Sequence, residues 1–507
     1  MNASNLERAS VEATIGQLAE AVPGSQIVGD PMTVVSDVVY DSRQIRPGAL
    51  FAALRGADFD GHRFVDAAVA NGAVAVLVEE PMPVTVTQLV VPGTSRAALA
   101  RVSCAYYGEP SHEITVVGIT GTDGKTTTAA MLESILNGTG RQAGAIGTVG
   151  VRIGDGTRHD LGHQTTPESN HVQRFLRTMA NAGSRHAVVE ATSHGLVTHR
   201  LDGVRFAVAG VTNITHEHLE FHKTIENYRR AKATLLERVA ATGGVVVINN
   251  DDDGARSVLP YAQGAEVLRY GLEGDVDLRA ERIDHAGTGI SFDVVASNKL
   301  VHVDLPMPGV FNVSNALCAI GLAMGCGVPL DDAARALSGA TPVSGRMQPI
   351  EAGQPFRVIV DYAHTPESLK TILSLLRSQY PEGRLIVVTG SAGERDVEKR
   401  PMQGDVCARI ADITIVTSED PRNEDPDAII EEIVVGAVQA GAVRGESVVA
   451  ITDRREALRR AFELARTGDC VLLAGKGHET SIIWGYEHVP WNEAAVAEEL
   501  LGEMFGR

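Results

Sequence analysis

The sequence predicts an α/β fold of several domains whose sheets are mostly parallel. Short apolar runs alternate with stretches of helical length, which is the pattern of repeated strand–helix units. Most of these runs end in glycine or polar residues, as strands do where a turn follows. The chain has 507 residues, and this length indicates roughly two to four domains.

Strand-like and helix-like segments follow one another in three parts of the chain. In residues 34–112, GALFAAL and GAVAVLVEE predict strands, HRFVDAAVANG predicts a helix, and GEPSHE predicts a linker. In residues 114–340, HAVVEAT, FAVAGVTNI and GGVVVINNDDD predict strands, and the alternation in 266–309 predicts an antiparallel edge. After TPVSGRMQPI, further strands are predicted at FRVIVDYAH, GRLIVVTGS, DITIVTSED, SVVAITD and DCVLLAGKG.

The stretch VVGITGTDGKTTTAAML, residues 116–132, predicts a phosphate-binding loop. An apolar strand at 116–119 leads into a turn at Gly121 and Gly124, where glycine allows backbone conformations that other residues resist. A helix is predicted from Thr126 onward. Strand, glycine turn and helix together direct backbone N–H groups and a helix N-terminus at one anionic ligand.

The side chains after the turn suit a nucleotide. Lys125 supplies a point charge for the outer phosphates, and Thr126 or Thr127 supplies a hydroxyl for Mg²⁺. The standard motif has glycine six positions before the lysine, where this chain has Ile119, while Gly118 is one residue away. The loop is therefore a variant of that motif. The alternative is an ordinary turn with a surface lysine.

Composition excludes several classes of protein. The net charge of −19 argues against a general nucleic-acid binder. An acidic chain that binds acidic small molecules must concentrate its cations locally, and the candidates are Lys125, Arg200, Arg346, Arg395, Arg422 and Lys476. The five cysteines have no CxxC spacing, which fits a reducing cytoplasm without a disulfide framework. We expect no signal peptide, and no window reaches the roughly 18 apolar residues of a membrane span.

Polar side chains gather where the central strands end. Glu190 ends one strand and is either a Mg²⁺ ligand or a cap for the next helix. His216, His218 and His222 follow another strand, but the absence of HExxH argues against zinc. Lys232 by itself indicates a lysine on a helix surface, and Asn312 and Asn315 by themselves indicate helix caps.

In the third part of the chain, nearly every predicted strand ends in charged or imidazole groups. The exception is SVVAITD. Ligands of open α/β sheets collect at the carboxyl ends of strands, so these ends predict a site. The groups concerned are Asp361, His364, Arg395, Glu419, Asp420, Arg422, Lys476, His478 and Glu479.

As a whole, the sequence resembles the Mur ligase family over nearly its full length. The motifs that carry the resemblance are YDSRQIRPGALFAALRG, GITGTDGKTTT, QTTPES, EATSHGL, TNITHEHLEFH, YRRAK, FNVSNAL, SGRM, DYAHTPESL, GERDVEKRP, TSEDPRNEDP and GKGHE. The resemblance implies three α/β domains. They are a UDP-sugar-binding domain at 1–112, a central P-loop ATPase domain with a mostly parallel sheet at 113–343, and a C-terminal Rossmann-like amino-acid-binding domain at 344–507.

The resemblance also implies roles for individual residues. The catalytic group would be Lys125, Lys232, Glu190 and His218. ATP would contact Gly121, Thr122, Asp123, Gly124, Lys125, Thr126, Thr127, Asn315, Arg346, Asp361 and His364. Mg²⁺ would be held by Thr126, Glu190, His218 and a carbamylated Lys232.

For the other two substrates, the resemblance implies two further sets. The UDP-N-acetylmuramoyl dipeptide would contact Tyr40, Ser42, Gln164, Thr165, Thr166, Thr192, Thr198 and Arg200, with Ala57, Asp58 and Phe59 nearby. The incoming amino acid would contact Arg395, Glu419, Asp420, Pro421, Arg422, Gly475 and Glu479.

The sequence departs from the usual family pattern at several positions. Gln164 and Thr198 stand where asparagine and glutamine are common, and Glu217 and Glu220 replace aspartates. The pair Glu419–Asp420 replaces Asp-Asn of the DNPR motif, a change that bears on amino-acid specificity.

The resemblance implies ATP-driven amide formation through an acyl phosphate, in cytoplasmic peptidoglycan precursor synthesis. The added third residue is expected to be a diamino acid, and the protein a monomer. If Arg422 is free for substrate, its planar fork favours the distal carboxylate of meso-diaminopimelate. If Arg422 neutralises Asp420, L-lysine or L-ornithine is favoured. Because the family's arginine is present here as Arg422, meso-diaminopimelate is favoured. The sequence also leaves open a related amide ligase of the folylpolyglutamate type and a non-catalytic ATP-binding protein.

Overall fold

Three large sheets follow one another along the chain. The structure is a computed structural model, and the residues it describes are 12–56, 60–161, 164–215, 217–286, 289–297 and 299–506. Within them, no helix combines the length and the apolar character needed to cross a membrane.

The first sheet has five strands in the order β2-β7-β6-β5-β4. Strands β4 to β7 are parallel, and β2 is antiparallel to β7. The strands of this region are β1 (Ala13–Thr14), β2 (Gln26–Val28), β3 (Val34–Val35), β4 (Asp37–Val39), β5 (Ala49–Ala52), β6 (Ala75–Val78) and β7 (Thr87–Val90). Its helices are α1 (Ile15–Glu20), α2 (Val65–Ala70) and α3 (Ser95–Tyr106).

The second sheet has eleven strands in the order β11-β10-β9-β12-β8-β13-β14-β15-β16-β17-β18. Its strands are β8 (Thr115–Thr120), β9 (Ala143–Gly147), β10 (Gly150–Arg152), β11 (Arg158–His159), β12 (His186–Glu190), β13 (Phe206–Val211), β14 (Val245–Asn249), β15 (Glu266–Gly271), β16 (Leu278–Ala286), β17 (Gly289–Ala296) and β18 (Lys299–Leu305). Its helices are α4 (Lys125–Gly138), α5 (Ser169–Asn181), α6 (Ser193–Val197), α7 (Leu219–His222), α8 (Ile225–Ala240), α9 (Asp253–Ser257), α10 (Val310–Gly325) and α11 (Leu330–Leu337).

The predicted mixture of parallel and antiparallel pairing is confirmed in this sheet. The neighbouring strands β9, β12, β8, β13, β14, β15 and β16 are parallel, and β16, β17 and β18 pair antiparallel at one edge. A second antiparallel edge, formed by β10 and β11, was not predicted because both strands are very short. Strand β8 lies between β12 and β13, so its carboxyl end is central.

The third sheet has six strands in the order β19-β20-β24-β21-β22-β23. All pairs are parallel except β19 with β20. The strands are β19 (Gln348–Ile350), β20 (Arg357–Asp361), β21 (Leu385–Thr389), β22 (Ile413–Val416), β23 (Val448–Ala450) and β24 (Cys470–Ala474), followed by a hairpin of β25 (Ser481–Trp484) and β26 (Glu487–Pro490). The helices are α12 (Pro366–Gln379), α13 (Lys399–Ile410), α14 (Pro426–Gln439), α15 (Arg454–Leu464) and α16 (Glu493–Phe505).

A fully buried ion pair joins the strand ends of the third sheet. Arg454 and Glu493 are 1% and 0% exposed, and Nη2 of Arg454 lies 2.7 Å from Oε1 of Glu493. The same guanidinium donates to the carbonyls of Ser418 (3.1 Å) and Ala474 (2.7 Å). These carbonyls lie just beyond β22 and at the end of β24, so the pair fixes the distance between two strand ends that carry predicted site residues.

Arg454→Ala is expected to lower the free energy of unfolding by about 3–5 kcal/mol, because it leaves a buried, unpaired Glu493 carboxylate. Urea denaturation followed by circular dichroism measures this. Arg455→Ala is the matched control, since Arg455 pairs with Glu499 at the surface and its loss is expected to change stability little. Equal effects of the two substitutions would contradict the role given to the buried pair.

Candidate active site

The phosphate-binding loop connects β8 to α4 and has little room for side chains. Gly124 has a φ of 80°, and a Cβ there would lie 2.3 Å from Oδ1 of Asn315. A Cβ on Gly121 would lie 1.9 Å from Oγ1 of Thr212. Both positions therefore require glycine, as the sequence predicted, and the helix begins at Lys125, one residue before the predicted start.

The loop is anchored on the end of the neighbouring strand β13. The N–H groups of Thr122 and Asp123 donate to the carbonyl and the side-chain oxygen of Asn213, each at 2.8 Å. Nζ of Lys125 donates to the carbonyls of Gly121 (2.9 Å) and Thr122 (2.6 Å), so the ammonium lies over the loop. A fixed loop, a lysine and a helix N-terminus thus converge where phosphates bind in such loops.

Glu190 lies at the end of β12, where its carboxylate accepts hydrogen bonds from two hydroxyl groups. The carboxylate is 1% exposed and accepts hydrogen bonds from Oγ1 of Thr126 (2.8 Å) and from Oγ1 (2.9 Å) and N–H (2.9 Å) of Thr148. The alternative that Glu190 caps the next helix is wrong, because Thr192 caps α6 through its bond from the N–H of Gly195. Sequence reasoning missed Thr148, whose only signal is its place just after an apolar strand.

This oxygen cluster fits Mg²⁺, which binds in nucleotide sites through one or two carboxylates, substrate phosphates and water. Within the described residues, no group of three or more His, Cys, Asp or Glu side chains could hold a metal ion by itself. Glu190 and the hydroxyl of Thr126 supply oxygen donors next to the loop, which matches such a shared site.

Two other predicted metal ligands lie elsewhere around the loop. His218 lies 3.7 Å from Glu217 and 3.5 Å from Glu220, and its ring packs edge-on against His194. Among the described side chains, neither His218 nor Lys232 makes a hydrogen bond or ion pair with Glu190. His222 is a structural residue that shares a hydrogen bond with Ser193. His216 lies outside the described residues.

Lys232 is buried, so its interpretation as a surface lysine is wrong. The side chain is 2% exposed, Nζ donates to the carbonyl of Gly121 (2.6 Å), and it lies 4.4 Å from the centre of the Tyr228 ring. Burial lowers the pKa of this amine well below its usual range, and the nearby Lys125 lowers it further. An amine with a lowered pKa is neutral more often, and the neutral form is the nucleophilic one.

A cavity of about 720 Å³ lies beside the loop, between the second and third sheets. The predicted ATP residues in its wall are Asp123, Gly124, Thr127, Asn315, Arg346 and Asp361. Asp361 accepts from the N–H groups of Met347 (2.7 Å) and Ala363 (2.8 Å), and burial raises its pKa. Asn312 and Asn315 lie inside α10, which begins after Gly309, so their interpretation as caps is wrong.

A second cleft of about 580 Å³ adjoins the other side of the loop. It brings together predicted residues from all three substrate sets, namely Thr122, Lys125, Thr126, Gln164, Thr165, Thr166, Thr192, Arg200, His218, His364, Arg395, Glu419, Asp420, Arg422 and Glu479. Sequence reasoning missed His194, Tyr362 and Lys399, which also line it. The lining residues that the two cavities share are Asp123, Gly124, Thr215, Arg346, Tyr362 and Glu367. Asp123 and Gly124 belong to the loop, so the loop lies at the junction of the cavities.

His364 connects the third sheet to the second across this cleft. Its Nε2 lies 3.6 Å from Oε1 of Glu217. Burial lowers the pKa of His364, but the carboxylates of Glu217 and Glu419 together outweigh this effect and leave the pKa raised. The raised pKa favours an imidazolium beside the cleft, where it adds to the positive charge around the loop.

The first sheet reaches the cleft through a group of charged side chains. Arg96 donates to Glu168 (2.7 Å), and Arg200 pairs with the same carboxylate (3.2 Å) while it donates to the carbonyl of Thr166 (2.9 Å). Burial and Glu168 raise the pKa of Tyr40, so this predicted residue lies close to the group. Arg96 and Glu168 were not predicted, because each looks like an ordinary surface charge in the sequence.

The remaining predicted contacts of the dipeptide substrate do not line either cavity or lie outside the described residues. Ser42 begins a short 3₁₀ helix and Thr198 follows α6, where its hydroxyl donates to the carbonyl of His194 (2.7 Å). Neither lines the two cavities. Ala57, Asp58 and Phe59 lie outside the described residues.

The end of the cleft that carries the predicted amino-acid contacts contains a compensated aspartate. Oδ1 of Asp420 lies 2.8 Å from Nζ of Lys476 and accepts from the N–H of Ile483 (3.0 Å). The alternative in which Arg422 neutralises Asp420 is therefore wrong. Among the described side chains, neither Arg395 nor Arg422 makes an ion pair.

The loops beside these arginines are held by their backbones. The N–H of Gly393 donates to the carbonyl of Asp420 (2.8 Å), which brings the loops of Arg395 and Arg422 together. Gly475 has a φ of 100°, and a Cβ there would lie 2.8 Å from Oε2 of Glu419. Pro421 is buried between the two acidic residues and Arg422.

Comparison with known sequences shows the class of protein that the fold and the site indicate. The chain belongs to the Mur ligase family, whose members are ATP-dependent amide ligases. The Mur ligase middle domain matches residues 119–323, the glutamate ligase domain of Mur ligases matches 345–477, and the Mur ligase family catalytic domain matches 34–105. The predicted three-domain α/β architecture is confirmed, while its exact boundaries remain a prediction.

Several relatives and one solved structure are similar to this chain over nearly its full length. A UDP-N-acetylmuramyl-tripeptide synthetase of Roseiflexus sp. (strain RS-1) is 46% identical, over 93% of this chain and 95% of the relative. A UDP-N-acetylmuramoyl-L-alanyl-D-glutamate–2,6-diaminopimelate ligase of Caldanaerobacter subterraneus subsp. tengcongensis is 39% identical, over 94% and 97%. A solved structure of a ligase with that same name is 29% identical, with a TM-score of 0.65 over 97% of this chain and 99% of the other.

Proposed function

We propose that this protein is the ATP-dependent ligase that adds a diamino acid, as third residue, to UDP-N-acetylmuramoyl-L-alanyl-D-glutamate in cytoplasmic peptidoglycan precursor synthesis. The observation that carries the proposal is the single cleft in which residues matching all three substrate sets surround the phosphate loop. The names of the similar proteins support the same reaction. We propose that it acts as a monomer.

The proposal assigns one substrate to each of the three domains, with boundaries at 1–112, 113–343 and 344–507. ATP occupies the cavity beside Asn315, Arg346 and Asp361, with its phosphates at the loop. The sugar–dipeptide extends from Tyr40, the residue after β4 of the first sheet, to Thr166 and Arg200. The diamino acid enters between Arg395 and Arg422.

The reaction then proceeds in two steps. The dipeptide carboxylate attacks the γ-phosphorus of ATP, and ADP leaves as the acyl phosphate forms. The amine of the diamino acid attacks the acyl carbon, inorganic phosphate leaves, and the amine loses a proton. Both steps accumulate negative charge near the loop, where Lys125, His364 and Arg346 offset it.

Mg²⁺ would be held by Glu190 and Thr126 and would neutralise phosphate charge when bound. A carbamate on Lys232 would add an anion beside Lys125. Carbamylation joins the amine nitrogen to the carbon of CO₂ with loss of a proton, and it requires a neutral amine. The buried surroundings of Lys232 Nζ, with a backbone carbonyl and an aromatic ring, fit that requirement.

We propose meso-diaminopimelate as the diamino acid, because two arginines at the amino-acid end suit its distal carboxylate. Asp420, which as a free anion would repel that carboxylate, is paired with Lys476. L-Lysine and L-ornithine have no distal carboxylate, so they gain nothing from these arginines.

Arg422→Ala is expected to lower kcat/KM for meso-diaminopimelate by on the order of 100-fold, because a charge-assisted hydrogen bond contributes about 1.5–3 kcal/mol. Turnover of L-lysine is expected to change little. Steady-state kinetics with meso-diaminopimelate, L-lysine and L-ornithine measure both effects. Arg409→Ala, which removes an exposed arginine paired with Asp405, is the control.

Two outcomes of this experiment would count against the assignment. Unchanged use of meso-diaminopimelate by the Arg422→Ala protein would make the arginine structural. A preference of the unmodified protein for L-lysine or L-ornithine by about tenfold, or 1.4 kcal/mol, would exclude meso-diaminopimelate as the main substrate.

A further inference from the structure

A buried lysine lies behind the wall of the amino-acid end of the cleft. Lys476 is 0% exposed, and Nζ lies 2.8 Å from Oδ1 of Asp420 and 2.5 Å from Oε2 of Glu479. The two carboxylates line the cleft, whereas Lys476 does not. Lys476 thus contacts both carboxylates from behind the wall of the cleft.

The position of Lys476 is fixed by the surrounding backbone. It lies two residues beyond β24, whose last carbonyl, that of Ala474, accepts a hydrogen bond from Arg454. The same guanidinium holds the carbonyl of Ser418, two residues before Asp420. Lys476 and Asp420 are therefore held together by a rigid buried connection and not by a flexible surface contact.

The cations on the substrate side remain unpaired. Within the described part of the chain, Arg395 and Arg422 make no ion pair, although acidic side chains lie near them. Burial lowers the pKa of Arg395, and the proximity of Arg422 lowers it further, so the two guanidinium groups lie close together. The backbone of Arg422 is fixed, because its N–H donates to the carbonyl of Ile483 (3.0 Å).

We propose that Lys476 is a positioning residue that sets amino-acid specificity by neutralising Asp420 from behind, which leaves Arg395 and Arg422 for the distal carboxylate of a diamino dicarboxylic acid. This inference rests on the proposed function. Lys476 does not touch the substrate and acts through the charge of its partner. Without it, Asp420 is an uncompensated anion that repels a distal carboxylate and attracts a distal ammonium.

The test is the ratio of kcat/KM for meso-diaminopimelate to that for L-lysine, measured in four proteins. Lys476→Met keeps most of the side-chain volume but removes the charge, and it is expected to lower the ratio about tenfold or more. Asp420→Asn in the same chain is expected to restore the ratio to within about threefold of the unmodified protein, because the two changes share one interaction. Asp420→Asn alone is expected to raise the ratio.

A purely structural role would reduce activity with both amino acids equally and would leave the ratio unchanged. Lys299→Met is the matched control, since Lys299 also pairs with an aspartate, Asp331, but at the surface. It is expected to leave the ratio and the KM for ATP unchanged. If the Lys476→Met chain does not fold, Lys476→Gln, which removes the charge but can still donate a hydrogen bond to Asp420, replaces it, and an unchanged ratio in that protein overturns the inference.

Failure of this inference is distinguishable from failure of the proposed function. An unmodified protein that ligates an amino acid, together with a Lys476→Met protein of unchanged ratio, overturns only the role of Lys476. An unmodified protein that forms no amide with any diamino acid overturns the proposed function itself.

Discussion

Lys125→Ala is expected to lower kcat by about 10³-fold or more at saturating ATP, because the ammonium offsets charge that develops on the transferred phosphoryl group. Nζ of Lys125 lies over the loop, within 2.9 Å of two of its carbonyl oxygens, so the charge is held where the phosphates bind. Single-turnover phosphate release separates this effect from substrate binding.

The control for this substitution is Lys370→Ala, which removes an exposed lysine on α12 and is expected to leave kcat unchanged. Circular dichroism must show that both proteins are folded. Near-normal turnover by a folded Lys125→Ala protein would mean that the loop binds its ligand through the backbone alone, and the catalytic role of the lysine would be wrong.

Lys232→Ala is expected to be nearly inactive and to recover part of its activity when short-chain carboxylic acids are added. The substitution removes the amine that would carry a carbamate and leaves a small cavity, which a carboxylate can enter beside Lys125. Assays over a series of formate and acetate concentrations measure the recovery. A ¹³C resonance of a carbamate, obtained with labelled bicarbonate, is expected in the unmodified protein and absent in the variant.

Arg230 lies on the same helix as Lys232, so Arg230→Ala is the control that tests whether the loss of activity is specific to position 232. Arg230 is exposed and pairs with Glu237, so its removal is expected to leave activity intact and insensitive to carboxylic acids. Full activity of the Lys232→Ala protein without added acid would show that Lys232 works only as a packing residue under the loop.

The strand, turn and helix of the phosphate-binding loop depend on local sequence, and their conformation was predicted correctly. Gly124, Lys125 and Thr126 are neighbours in the chain, and a loop of this kind needs all of its features within a few residues. The strand ends in the third sheet were also predictable, since each follows an apolar run. Parallel strands then bring their carboxyl ends to one edge, which places distant residues together.

Features that depend on tertiary contacts could not be predicted. The burial of Lys232 depends on the packing of α8 beneath the loop, and an isolated helix sequence does not reveal it. The pairing of Asp420 with Lys476 joins residues that follow two strands far apart in the chain. In the sequence, Arg422 is the cation nearest to Asp420. The wrong alternative, in which Arg422 neutralises Asp420, followed from this closeness in the chain.

In the proposed reaction, the cleft couples phosphoryl transfer from ATP to amide formation between two other substrates. The most direct measurement is phosphate release with ATP and Mg²⁺, in the presence of UDP-N-acetylmuramoyl-L-alanyl-D-glutamate, meso-diaminopimelate, both or neither, with the peptide product followed by mass spectrometry. Sustained phosphate release is expected only when both are present, with one UDP-N-acetylmuramoyl tripeptide formed per phosphate. Equal release without the amino acid, or release without any tripeptide, would contradict this coupling.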